Sequence, residues 1–304
     1  MTLHAIVAAL GGDLYHGGRR ANVPAPGHSV GDRSVSLLVS GDRLVIHSFG
    51  AADWRAVRDQ LAVLGLIGAD GRILPVGRSH PSSSAIRPDR PDRPTRLATA
   101  RRLWDGAGPL VRGSLSHRHL IGRSVGLDPA GVSDLRHHPD APVSVFRTGG
   151  PTRPALAAKI SDGEGRLTAV ELVYLDANGR RADRLRVPRK TVGVVPPGSA
   201  VRLSPAGRDM LVGEGVLTVL SAMERFGRPG WALMSAHNLS AWSPPPGVGR
   251  LLIAADRGAV GQRAAARLRS RLRGRGLAVS IALPPEPFED WNAAAASGRR
   301  EEGR

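Results

Sequence analysis

Glu214 and Asp256 are the residues whose types and spacing could do chemistry. Each is the first acid after a short apolar run. Met210-Leu211-Val212 ends in Gly213-Glu214-Gly215, and Leu251-Leu252-Ile253-Ala254-Ala255 ends at Asp256. Two carboxylates converging on one edge suit Mg²⁺ held against phosphate, because Mg²⁺ takes hard oxygen ligands, keeps several waters and needs only one or two carboxylates. Gly213, Gly215 and Gly258 leave room for backbone to approach a phosphate or a metal. Spacing alone leaves a plainer role open: acids at strand ends also cap the helices that follow, where negative charge is favoured.

A parallel sheet would bring these acids together. Val216, Val219, Leu220, Met223 and Phe226 repeat at helical spacing, a second apolar run covers 231–234, and a fourth is Val279-Ser280-Ile281-Ala282-Leu283. Short apolar runs alternating with helices predict an α/β unit over 206–292, with a parallel sheet covered on both faces. Ligands of such sheets sit beyond the carboxyl ends of the strands. His237 and Asn238 follow the second strand and are expected at the same edge as Glu214. In the helix over 259–273, Val260, Ala264, Leu268 and Leu272 should pack on the sheet; Arg263, Arg267 and Arg271 form a parallel stripe, either solvated or in contact with nucleic acid.

The stretches Gly213-Glu214-Gly215-Val216-Leu217-Thr218, Ile253-Ala254-Ala255-Asp256-Arg257-Gly258-Ala259-Val260-Gly261-Gln262 and Asp290-Trp291-Asn292 together resemble a Toprim domain, in the form found in bacterial, plasmid and phage DNA primases. The resemblance implies Glu214 as general acid/base, and Asp256 and Asp290 as ligands of Mg²⁺ or Mn²⁺. Gly258 stands where the family has the second aspartate of a D-x-D pair, so one metal carboxylate is lost. The implied activity is metal-dependent nucleotidyl transfer on single-stranded DNA in the replication of a mobile element. Single-stranded DNA and nucleotides are the implied partners, with a replicative helicase among those the resemblance allows. Two alternatives stay open: a catalytically lapsed relative that binds single-stranded DNA, and a Toprim nuclease using the same acids. A topoisomerase needs a tyrosine nucleophile, and neither Tyr15 nor Tyr174, the only two tyrosines, sits in a convincing site.

The first module, 1–68, reads as a short helix, a hairpin of two β-branched runs (33–39 and 44–51) and a closing helix with Trp54, Val57, Leu61 and Leu64 on one face. It resembles the zinc ribbon that opens primases. His28 keeps one ligand position, but Ala25, Ser48 and Ala51 occupy the other three. Structural zinc sites need four ligands. The expectation is a ribbon folded by its apolar core, without zinc.

Residues 77–96, with the repeat Pro88-Asp89-Arg90-Pro91-Asp92-Arg93-Pro94, read as a disordered linker. The span 97–205 resembles the N-terminal subdomain of a primase core: helical and turn-rich to about 150, then β, with strands over 155–160, 167–175 and 184–187 and a turn at Asn178-Gly179. His117, His119, His137 and His138 lack accompanying acids at ligand spacing and read as surface or capping residues. Arg180, Arg181, Arg184, Arg186, Arg189 and Lys190 form a basic cluster suited to phosphate-backbone contacts, or a charge-protected edge strand. The tail, 293–304, should fray.

Composition agrees with a polyanionic partner. There are 43 basic against 26 acidic residues, a net charge of +17, and Lys159 and Lys190 are the only lysines. Arginine is the better bidentate phosphate ligand. A GC-rich genome explains the preference for Arg over Lys but not the excess of bases. The chain has no cysteine, which removes disulfides and thiolate zinc sites and fits a cytoplasmic protein. No apolar run reaches the roughly 20 residues of a membrane span.

Overall fold

The structure, a computed structural model, describes residues 3–15, 17–26, 32–48, 54–68, 70–72, 91–126, 128 and 131–302. The chain forms two compact units, Met1–Arg90 and Pro91–Arg304.

In the first unit, strands β1 (Asp13–Tyr15), β2 (Arg20–Val23), β3 (Val35–Ser40) and β4 (Arg43–Ser48) make an antiparallel sheet in sequence order. Helices α1 (Leu3–Leu10) and α2 (Trp54–Val63) pack on it. The hairpin expected from the β-branched runs is β3–β4, turning tightly at Gly41-Asp42 with Ser40 paired to Arg43. The first two strands were not expected; they are short and carry Asp13, Arg20 and Asn22, which blur the alternation. Leu3, Ile6, Val35, Leu37, Val57 and Leu61 fill the core, and Ala25 is buried among them. The Asp32 carboxylate accepts the N–H groups of Ala25 (3.0 Å) and Ser34 (3.1 Å) and the Ser34 hydroxyl (2.6 Å). An aspartate therefore ties Ala25 to Ser34 beside the apolar core. His28, Ala51 and residues 77–90 lie outside the described residues.

The second unit starts earlier than the linker reading allowed. Helix α3 spans Arg93–Asp105, and the side chain of Asp92 accepts from the Thr95 N–H at 2.8 Å. Proline is tolerated in a first turn, where its missing N–H would have no partner anyway. Pro94 thus opens the helix that composition had assigned to disorder.

Strands β5 (Gly108–Pro109), β6 (Leu135–Pro142), β7 (Thr152–Ser161), β8 (Leu167–Tyr174) and β9 (Arg189–Gly193) form an antiparallel sheet in that order, with α4 (Leu115–Gly122) against β6 and β7. Two expectations change here. The third β element of this region is Arg189–Gly193 and not 184–187, because Glu171, Leu172 and Val173 pair with Thr191, Lys190 and Arg189. The span expected to be helical and turn-rich contains β6, whose polar, proline-containing sequence hides it. Alternation along the sheet divides its faces. Val170, Leu172 and Tyr174 pack with Ala100, Leu103 and Trp104 of α3. Leu156, Ala158, Ile160 and Ala169 pack in the opposite direction, in one core with Leu211, Val216, Val219 and Leu220.

Those last residues belong to the C-terminal sheet, ordered β10-β12-β11-β13-β14, from β10 (Val201–Arg202), β11 (Asp209–Gly213), β12 (Gly230–Ala232), β13 (Arg250–Ala254) and β14 (Ala278–Ala282). β11 is parallel to β12 and β13, and β13 to β14, as the apolar runs predict; β10 adds an antiparallel edge. Helix α5 (Val216–Phe226) lies on one face, and α6 (Ala236–Ala241) and α7 (Ala259–Arg273) on the other. Gly213 has a packing role: a Cβ there would come within 2.9 Å of the Ala254 carbonyl oxygen and of Val219. The tail expected to fray continues as α8 (Trp291–Glu302). Its alanines are strong helix formers. The Asp290 carboxylate accepts the Ala293 N–H at 2.7 Å, and Trp291 meets Phe226 edge-on at 5.0 Å.

Candidate active site

Parallel pairing of Gly213 with Ala254 brings the ends of β11 and β13 level. Glu214 and Asp256, one and two residues further on, emerge at the same carboxyl edge. Asp290 arrives by a longer route, and Arg257 organises it. The Arg257 N–H donates to the Glu289 carbonyl at 2.8 Å, its Nε donates to the Pro284 carbonyl at 2.9 Å, and its guanidinium meets Glu286 at 3.2 Å. One arginine beside Asp256 therefore fastens the 284–289 loop and delivers Asp290 to the site. Nothing in the local motif around Arg257 signals this role, because its partners lie 27 to 32 residues further along the chain.

The electrostatics are those of crowded carboxylates. Burial pushes the Asp256 carboxyl up to about 7, and the nearby charges of Glu214 and Asp290 push the same way; a hydrogen bond with Thr218 on α5 opposes them. Asp256 Oδ1 is buried and has no hydrogen-bond partner. Burial also raises Glu214, against the Ala236 N–H and the positive charge of Arg189. Among the described residues no three His, Asp or Glu side chains lie close enough to form a direct metal cage. Mg²⁺ does not need one, since it commonly takes one or two carboxylates and retains waters. A buried, unpartnered carboxylate oxygen in the field of two further acids fits such a cation. Gly258 opens α7 with nothing within 4 Å of a Cβ built on it, so the position of the missing second aspartate is open space.

Other expected residues divide. His237 is exposed at the start of α6. Asn238 is buried and committed to backbone: Nδ2 donates to the Ser199 (2.6 Å) and Leu233 (2.8 Å) carbonyls, and Oδ1 accepts from Gly198 N–H at 2.7 Å. It shapes the edge and is not free for a ligand. Arg271 of the α7 stripe donates to the Trp242 carbonyl, fastening α7 to the end of α6.

The basic cluster also separates. Arg180, Arg181 and Arg184 line a cleft together with Arg118, Arg123 and Arg153. Arg189 Nε donates to the buried carboxylate of Glu171 at 2.7 Å. Lys190 donates to the Val143 carbonyl and lies 5.5 Å from the Tyr174 ring centre. Burial lowers the Lys190 pKa. Arg186 is exposed. Arg118, Arg123 and Arg153 lie far in sequence from the 180–190 basic cluster, and only folding brings them beside it.

Two family matches divide most of the second unit. Residues 209–301 match the Toprim domain, and 94–203 match a domain of unknown function, DUF7146. No curated protein matches the chain. Among solved structures, the Aquifex aeolicus primase (zinc-binding and RNA polymerase domains) is 14% identical with TM-score 0.45, over 99% of this chain and 82% of that one. A DnaG primase catalytic domain bound to single-stranded DNA is 14% identical with TM-score 0.46, over 70% and 78%. The RNA polymerase domain of Mycobacterium tuberculosis primase DnaG is 14% identical with TM-score 0.42, over 70% and 84%. With its three parallel pairings, its acids at the carboxyl edge and its family match, the C-terminal part of this chain, residues 209–301, is a Toprim domain.

Proposed function

We propose that the protein is a primase-like nucleotidyltransferase that extends a strand on a single-stranded DNA template with Mg²⁺ or Mn²⁺, in the replication of a mobile element. The observation that carries this reading is Asp256 at the carboxyl edge of the Toprim sheet, in the field of Glu214 and Asp290 and with Oδ1 left without a partner. Asp256 and Asp290 would hold the cation. Bound there, it supplies positive charge against the phosphates of the incoming nucleotide. Glu214 would move a proton at its carboxyl group, whose pKa burial raises. Asn238 and Arg257 act through position, one setting the turn before α6 and the other the loop before Asp290.

A second reading, a lapsed relative that binds single-stranded DNA without catalysis, is favoured by Gly258 and by the lack of a close three-acid group among the described residues. A Toprim nuclease would use the same acids. Labelled nucleotides, single-stranded DNA and Mg²⁺ or Mn²⁺ separate the three. New oligonucleotides that vanish in Glu214→Gln and Asp256→Asn support nucleotidyl transfer. Salt-sensitive binding without products from folded protein selects the lapsed relative, and a shortened template selects the nuclease.

A further inference from the structure

Among the described residues, only Ser124 and Met234 hold a positive φ without being glycine, and Met234, at φ +68°, stands two residues beyond the end of β12. The Ser235 N–H donates to the Leu233 carbonyl at 2.9 Å and closes a three-residue turn around it. Such a turn with positive φ at its centre is rare and strained. Glycine is the default residue for that backbone, because it has no Cβ to crowd the chain. A methionine persists there only where the surrounding structure imposes the shape.

The surroundings do impose it. The Leu233 N–H donates to the Gly213 carbonyl at 2.9 Å and the Met234 N–H to the Glu214 carbonyl at 2.8 Å, so the turn is fastened to the end of β11. Buried Asn238 holds it from the other side. Its Nδ2 donates to the Leu233 carbonyl at 2.8 Å, and its N–H donates to the Ser235 hydroxyl at 3.2 Å. The half-buried Met234 side chain packs against the core that Leu211, Val216 and Leu220 form with Leu156 and Ile160. This packing offsets the backbone strain, and a glycine would give it up.

The consequence falls on Glu214. Its carbonyl is held by the Met234 N–H, and its carboxylate faces the Ala236 N–H. The second donor follows the strained residue, so φ at position 234 decides where it points. A negative φ would rotate the following peptides and carry the Ala236 N–H away from the carboxylate. We propose that Met234 is a positioning residue for Glu214, its left-handed turn holding the glutamate side chain in the orientation that proton transfer needs. The inference rests on the proposed function for what Glu214 does. The grip of the turn on Glu214 is independent of it.

The test pairs primer synthesis with amide hydrogen exchange of residues 231–241 in the full chain, for Met234→Ala, Met234→Gly and Met234→Val. Alanine keeps the strain and loses the side chain that offsets it, whereas glycine loses both together. Valine, being β-branched, tolerates a positive φ least. In the alanine and valine variants, exchange of the segment should rise about tenfold or more. Their kcat should fall about tenfold or more, with KM for nucleotide within about twofold of wild type. Met234→Gly should recover most of both losses. That order marks a strained backbone, since a residue that only packs is served no better by glycine than by alanine. Glu214→Ala should speed exchange of the same segment, because it removes the acceptor of the Ala236 N–H. Wild-type exchange and kcat in the folded alanine variant overturn the inference, as does a glycine variant no better than alanine. Unchanged exchange in Glu214→Ala overturns it as well. If valine prevents folding, the comparison of alanine with glycine decides. A wild-type protein that makes no product would sink the proposed function, while the exchange order still shows whether Met234 holds Glu214.

Discussion

Arg123 and Asn292, 169 residues apart in sequence, hold each other in the second unit. Arg123 donates twice to Asn292 Oδ1, and Asn292 Nδ2 returns a bond to the Arg123 carbonyl at 2.6 Å and reaches Ser221 Oγ at 3.1 Å. The residue after α4, beside the arginine cleft, is thereby joined to the start of α8, two positions beyond Asp290.

Asn292→Ala removes all of these bonds and leaves the buried Ser221 hydroxyl and the half-buried groups of Arg123 without this partner. The expected loss is roughly 2–3 kcal/mol, seen as a fall in melting temperature of about 5–10 °C. A change within about 1 °C would mean that water replaces the amide without cost.

Asp256 predicts an inverted pH dependence. Its folded value is raised from 3.8 to about 7, so between those values the native state binds a proton that the unfolded chain has released. Stability therefore declines as pH rises through that window, and the loss is complete above about pH 7. Asp256→Asn should melt a few degrees above wild type at about pH 8 without divalent cation, and the gain should shrink toward about pH 4. Mg²⁺ added to wild type at the higher pH should recover part of the difference. A gain independent of pH would remove the carboxylate repulsion from the account.

Gly258 faces open space, so Gly258→Asp adds a carboxylate beside Asp256 without a clash. Calorimetric titration should show Mg²⁺ or Mn²⁺ bound severalfold more tightly than by wild type. Unchanged affinity would place position 258 beyond reach of the cation.

His119 carries the opposite sign to Asp256. Burial first, then the charges of Arg123 and Arg181, lower its pKa from 6.5, and the Gly179 carbonyl opposes them. The unfolded chain binds the proton first, so His119 costs nothing above about pH 6.5 and destabilises progressively below it. His119→Asn keeps a donor toward Gly179 but cannot titrate. Melting curves of the variant should lose part of the acid-side decline that wild type shows, and parallel curves would exclude His119 as a source of it.

Much of the Toprim domain was legible without coordinates. Met210-Leu211-Val212 and Leu251-Leu252-Ile253 are continuous apolar runs, which only a sheet buried on both faces requires, and the first acid after each must emerge at its carboxyl edge. The hairpin of the first unit was legible for a similar reason, since alternation and a short polar turn are local signals. β6 was not legible, because Leu135-Arg136-His137-His138-Pro139 shows no apolar alternation and becomes a strand only through pairing with β7. β9 escaped for the same reason: Arg189 and Lys190 look like solvated charge until Glu171 and the Val143 carbonyl are placed beside them.

The sequence by itself determined which residue types stand at the ends of the parallel strands, because burial on both faces leaves its mark in every residue of a run. Only the tertiary structure decided which charges are shared and which are free. Arg181 finds Asp183 two residues away, whereas Arg118, Arg153, Arg180 and Arg184 meet in one cleft because α4, β7 and the 176–185 segment pack together. An arginine's partners are set by distance in space, and distances between separate segments are written in no local pattern.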